Sequence, residues 1–283
     1  MFGLLLLAVG VCGFGLAAYW DVKTTEFPDW LPYSIIVSAL AVRGVFAFIL
    51  SDPLIIINSV AYGVVFLVVG LIMYLARQWG DGDAWLMGAL GFLFPDAAGF
   101  SPAWGTPLPF WMTMILNFFM VSLFYLVLYA VALGVRRPGV WKTFRKNVRA
   151  RALLMAASFA IVLAASLYTA FYLSFNFGVP VYDFPGILAM PFLAFVMLLF
   201  LQYAKAVESD LFRRKVRAKD LRVGDVLITG KWRGITAEEV EKYRKKGGDV
   251  WIKEGVRFAP VFLITVLVTI FLGSVAHVLF PLA

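Results

Sequence analysis

Cysteine is almost missing from this chain of 283 residues: the single Cys12 lies inside the first apolar run. No disulfide framework and no cysteine-rich zinc site can therefore form within one chain. Histidine is equally scarce, and the lone His277 sits near the end of the last apolar segment, where an interfacial or packing role is the expectation rather than metal ligation. No metal is expected on this ground. Charge is sparse as well, 15% of residues against 62% hydrophobic. Finally, residues 2 to 19 are apolar with no charged residue ahead of them, so the basic start of a cleavable signal peptide is lacking and the run is read as a retained first span.

What is present is hydrocarbon. Mean hydropathy is +0.88, and uncharged runs of about 18 residues or more read as transmembrane helices. Apolar segments fall at residues 2 to 19, 31 to 50, 54 to 76, 84 to 95, 109 to 134, 152 to 176, 185 to 203 and 258 to 280. The expected fold class is thus an all-α polytopic membrane protein of about eight transmembrane helices, with a small α/β cytoplasmic domain between the last two spans. The expected division is a transmembrane catalytic part at 1 to 203, the small domain at 204 to 257 and a final helix at 258 to 283.

The fourth segment is short, since about 20 residues are normally needed to cross. The basic residues decide its reading. If all eight segments cross, one face holds Lys23, Arg77, the seven Lys and Arg from Arg136 to Arg151 and the fifteen between 204 and 257, while the other face holds none. Only Arg43, inside the second segment, stands apart, and its long side chain is expected to snorkel or to pair with an acid. Such asymmetry puts the basic face in the cytoplasm and both termini outside. The net charge of +8 is accounted for by membrane orientation and contact with anionic lipid, so no nucleic-acid partner is expected.

Two acids need a reason to lie beside hydrocarbon, because an ionisable group there is costly and by default marks a functional site. Asp21 ends the first span and Asp83 begins the fourth, after the turn residues Gly80 and Gly82, which let backbone or substrate approach closely. Eight spans put both aspartates on the cytoplasmic side at equal depth. Two such carboxylates suit aspartyl proteolysis: one, ionised, takes a proton from the attacking water while the other, protonated, donates to the carbonyl oxygen and then to the leaving amine. Low dielectric and like-charge proximity keep one proton bound between them.

At these residues the chain resembles a known family. Asp21, with Phe27-Pro28-Asp29-Trp30 after it, and Gly80-Asp81-Gly82-Asp83 followed by Leu86-Met87-Gly88-Ala89-Leu90-Gly91 are similar to the GxGD aspartyl peptidases of the type IV prepilin peptidase class, the archaeal preflagellin peptidases in particular. The likeness covers about residues 1 to 95, with a second piece from Gly234 to Val256. It implies a protease of the plasma membrane that removes the short basic leader of archaellin or type IV pilin-like precursors on the cytoplasmic side, for assembly of the archaellum or related filaments, with Asp21 and Asp83 catalytic. It implies no cofactor. Bacterial relatives that also methylate the new N-terminus carry a cysteine-rich insert, which this chain lacks, so methylation is not carried over.

Around that pair, Glu26, Asp29 and Asp81 would favour a basic leader electrostatically; equally, Asp29 is placed to cap the second helix and Glu26 to be solvated. For Asp21 and Asp83 the plain alternative is a helix cap or an ion pair with Lys23 or Arg77. Two further functions use the same acids: a proton- or cation-coupled transporter, disfavoured because the acids sit at helix ends on one face with no inverted repeat, and a presenilin-like protease, which would cut within a span. Residues 136 to 151 read as a basic loop touching lipid phosphate. In 204 to 257, Val223 to Ile228 and Val250-Trp251-Ile252 read as short strands, while Thr236 to Glu239 has capping-box spacing ahead of a helix ended by Gly247-Gly248. At roughly 54 residues that region is near the lower limit for an independent core.

Overall fold

With no water in hydrocarbon to satisfy its amides, an apolar chain must bond its backbone to itself, and most of this one does so as helix. The computed structural model describes residues 1–103, 108–178, 180, 185–221, 223–228, 234–253 and 255–275. His277 lies outside the described residues. In chain order the helices are α1 (Phe2–Thr24), α2 (Trp30–Ile49), α3 (Leu54–Leu75), α4 (Asp81–Leu93), α5 (Phe110–Val135), α6 (Pro138–Phe177), α7 (Pro185–Val207), α8 (Ala237–Lys246) and α9 (Pro260–Leu267), the last continued by a π-helical turn, Val268–Leu272. Six described helices, α1, α2, α3, α5, α6 and α7, are long and apolar enough to cross a membrane. The other two expected spans are shorter here: α4 has 13 residues, and the apolar helix Pro260–Leu272 runs close to the edge of the described residues.

The chain forms two compact units, Met1–Val127 with Gly255–Ala283, and Leu128–Glu254. In the first, α4 is the inner element: every residue from Leu86 to Pro95 is buried. Small residues let its neighbours approach, with Gly91 of α4 against Phe66 of α3 and Gly70 of α3 against the backbone of Ala84. Thirteen residues make a helix of only about 20 Å. The chain beyond it completes the path, since Leu93 and Phe94 lie at Gly10 of α1 while Ala98 and Phe100 lie at Gly3, near the opposite end of α1 from Asp21. Helix and irregular continuation together run the length of α1.

A helix that stops inside the protein leaves carbonyls to be satisfied. Arg43, fully buried, does this: its Nη2 and Nε donate to the Leu93 carbonyl at 2.9 and 3.3 Å, and its Nη1 to the Asp96 carboxylate at 3.1 Å and the Ile55 carbonyl at 3.4 Å. Of the two expectations for Arg43, pairing holds and snorkelling does not. Ser59 of α3 adds a bond to the Phe92 carbonyl at 2.6 Å.

In the second unit the basic loop expected at 136 to 151 is helix instead from Pro138 on. Pro138, at the first turn, where its missing N–H costs nothing, opens a single α6 of 40 residues whose first turns carry the cations. A three-stranded antiparallel sheet, ordered β1-β3-β2, joins β1 (Arg213–Arg217), β2 (Val226–Leu227) and β3 (Asp249–Lys253), with Lys215 opposite Trp251 and Leu227 opposite Ile252. The charged run Arg213 to Arg217 gave no strand pattern in sequence; it is an edge strand, where charge discourages pairing with other chains. α8 is capped by Thr236 and Glu239, each side chain bonded to the other's backbone N–H, and closes at Gly247.

Replacing Arg43 by Leu keeps the apolar bulk and removes the guanidinium fork, leaving buried carbonyls at the end of α4 unpaired. The expected loss is about 1–3 kcal/mol, read as a lower thermal midpoint in detergent, and Lys at this position should recover only part of it, because an ammonium cannot fork.

Candidate active site

Asp21 occupies the last turn of α1, which closes when Thr25 enters the left-handed region (φ 64°) and donates its N–H to the Asp21 carbonyl at 2.8 Å. The side chain of Asp21 turns inward and is 5% exposed. Its Oδ2 accepts the backbone N–H of Ala259 at 2.8 Å. Ala259 precedes the first turn of α9, whose early N–H groups have no partner within the helix and carry partial positive charge. Phe258 and Arg257 immediately precede Ala259 in this approach. Tyr125 of α5 fixes this approach to α9 by donating its hydroxyl to the Arg257 carbonyl at 2.6 Å.

Asp83 lies in the first turn of α4. Gly80 precedes that helix in extended conformation, and its N–H donates to Asp83 Oδ2 at 3.3 Å. The capping contact weighed from sequence is therefore present. The chain that follows Asp21 reaches the same place, with the Phe27 ring against Gly82. The fold thus brings together the ends of two helices far apart in the chain. Neither aspartate forms an ion pair with Lys23 or Arg77, since the ion pairs among the described residues are Arg43 with Asp96 and Lys215 with Asp249. Lys23 instead lies over the ring of Tyr19.

Aromatic side chains tie the two sequence motifs together. A Cβ at Gly82 would come within 2.7 Å of the Phe27 ring, so this glycine is what lets the α1–α2 connection lie against the start of α4. Tyr33 of α2 meets Trp85 edge to face at 4.8 Å between centroids. Trp79, just ahead of the turn, contacts Phe118 of α5 and Phe258 at 5.4 and 5.7 Å. Such pairs hold better than their buried area alone implies.

The other acids named from sequence lie outward. Glu26, Asp29 and Asp81 are exposed, and Asp29 stands at the N-cap of α2 without a side-chain capping bond. Among the described residues no group of three or more His, Cys, Asp or Glu is placed to hold a metal ion. Sequence reasoning passed over Arg257, Phe258 and Ala259, because nothing local marks a segment whose role is a contact with a residue more than two hundred positions earlier. The one available cue was an arginine immediately before the last apolar run.

Gly82→Ala should displace the Phe27 ring and lower stability by about 1–3 kcal/mol. Gly80→Ala should be nearly silent, since a Cβ there meets only Asp83 Oδ2, at 3.5 Å. Thermal unfolding of both, with Phe27→Leu as a partial rescue of Gly82→Ala, distinguishes close packing from a need for glycine flexibility.

Comparison with known proteins bears on the same region. A family model described as the type IV leader peptidase family matches residues 8–134. A preflagellin peptidase from Methanocaldococcus jannaschii is 33% identical over 87 residues, 31% of this chain and 37% of that protein. The chain therefore matches little more than a third of that relative's length. No solved structure matches it.

Proposed function

We propose that this chain, which is similar to the type IV leader peptidase family over its residues 8–134, is a GxGD-type aspartic endopeptidase that removes the short basic leader from archaellin or type IV pilin-like precursors. The observation that carries the reading is the placement of Asp21 and Asp83: one is buried at the end of α1, the other is half-buried at the start of α4, and the Phe27 ring that follows α1 lies on Gly82 beside Asp83. In the proposed reaction one carboxylate accepts a proton from water as its oxygen attacks the scissile carbonyl. The other donates a proton to the carbonyl oxygen. As the tetrahedral gem-diol collapses, the carboxylate that gave its proton takes one back from a hydroxyl, the C–N bond breaks and the amine leaves with the proton held by the other carboxylate, so both acids return to their starting states. The Ala259 N–H holds Asp21 in place through this cycle. A metal has no step in the scheme.

In the topology we propose, eight segments cross, both termini are outside and the site faces the cytoplasm of the cell membrane. The support is the distribution of Lys and Arg and the run of α4 with its continuation along the whole of α1. Substrate enters as a basic leader followed by a hydrophobic helix, the leader drawn to the exposed carboxylates of Glu26, Asp29 and Asp81, with membrane lipid around it.

Asp21→Asn and Asp83→Asn are each expected to cut the rate of leader removal about a thousandfold or more, because an amide keeps the shape but neither accepts the water's proton nor donates an acidic one. Expression and membrane insertion should be unchanged, and Asp81→Asn should lose far less. A detergent-solubilised enzyme incubated with a leader-bearing precursor reads this as a mobility shift, with N-terminal sequencing to place the cut. Near-normal cleavage by either amide variant rejects the scheme.

A leader whose Lys and Arg are replaced by Gln should bind more weakly at low salt. The difference should shrink as salt rises, since exposed charges about 8–10 Å apart are screened near physiological ionic strength. Apparent KM measured at two salt concentrations tests the role of the three exposed acids, and an unchanged low-salt KM would remove it.

A further inference from the structure

The helices α6 and α7 run antiparallel, with Phe159 of α6 against Phe192 and Phe195 of α7. Near one end they enclose a cavity of about 210 Å³, larger than a single water needs. Two cations, Arg151 and Lys205, stand at it, and Leu154, Leu198 and Leu201 line it together with Gln202. Gln202 is 4% exposed, and its Oε1 accepts no hydrogen bond among the described residues. A buried acceptor without a donor is costly and uncommon. Neither cation is in an ion pair among the described residues.

The position of this cavity in the chain selects a ligand. Arg151 is the last charged residue before the apolar run of α6, and Lys205 is the first after that of α7. Both therefore stand where hydrocarbon gives way to headgroups. A free anion would meet the cations but would leave the apolar wall unused. A phospholipid uses all three: its phosphate pairs with Arg151 and Lys205, a headgroup hydroxyl donates to Gln202 Oε1, and its chains lie over Leu154 and Leu201, which are exposed. We propose that the cleft between α6 and α7 is a binding site for an anionic phospholipid whose headgroup carries a hydroxyl, such as a phosphoglycerol lipid.

The test uses the full chain, delipidated in detergent, with its thermal midpoint followed as phosphatidylglycerol, phosphatidylcholine or inorganic phosphate is added. Phosphatidylglycerol should raise the midpoint saturably. Phosphatidylcholine, which lacks the hydroxyl and adds a cation, and inorganic phosphate should not. The double variant Arg151→Gln with Lys205→Gln should weaken the apparent affinity about tenfold or more. Gln202→Leu supplies an independent check that does not rely on the charged variants folding. With its unpaired acceptor gone it should be at least as stable without lipid, while losing the preference for phosphatidylglycerol over a lipid without a headgroup hydroxyl. Equal stabilisation by inorganic phosphate or phosphatidylcholine would overturn the proposal, as would an unchanged response to phosphatidylglycerol in both variants.

Discussion

A short helix that ends inside the protein has no solvent at that end, so the carbonyls it leaves open there must be met by the protein. The first unit is arranged around that demand of α4. At its start, Gly80 gives its N–H to Asp83; at its end, Arg43 closes the Leu93 carbonyl and carries its charge to Asp96. A buried arginine would ordinarily be a liability, and its desolvation is offset here because each nitrogen of its fork donates to an acceptor. The helix can then stop short of a full crossing while irregular chain carries on along α1, protected by the protein around it.

The same arrangement locates the candidate chemistry. Placing the beginning of α4 beside the last turn of α1 brings two carboxylates together without either needing a salt bridge to hold it. Asp21 is positioned by a backbone N–H at the approach to α9, and Asp83 by its own helix turn. Backbone donors are rigid, and neither acid is in a lysine or arginine ion pair among the described residues. The aromatic contacts of Phe27, Tyr33 and Trp79 serve the same end, joining the α1–α2 connection, α4 and α5 in one cluster.

The second unit follows different rules. α6 changes character along its length, from cationic first turns to an apolar remainder, and the sheet that follows α7 rests on a small core of Ala218, Leu221, Leu227, Ile235 and Val240. The family match ends at residue 134, so this unit lies almost wholly beyond it. Its Lys and Arg are concentrated around the start of α6 and in the residues that follow the apolar run of α7.

From sequence alone came whatever depends on local pattern: the apolar runs, the two aspartates at their edges, the glycine turn, and the caps of α8 at Thr236, Glu239 and Gly247. Such features are legible because capping, turn conformation and burial in hydrocarbon each impose a requirement on residues close together in the chain. Continuity of α6 through residues 138 to 151 escaped that reading because hydropathy reports solvent, not helix, and a cationic helix and a cationic loop have the same average. The strand at Arg213 to Arg217 escaped it because its partner, β3, lies outside any local window. What only the tertiary structure decided was long-range: that Arg43 closes the end of α4 with Asp96 as its acid, that Phe27 lies on Gly82, and that the carboxylate of Asp21 meets the N–H of Ala259. Each joins groups whose pairing is set by how helices pack in three dimensions, and no periodicity along the chain encodes it.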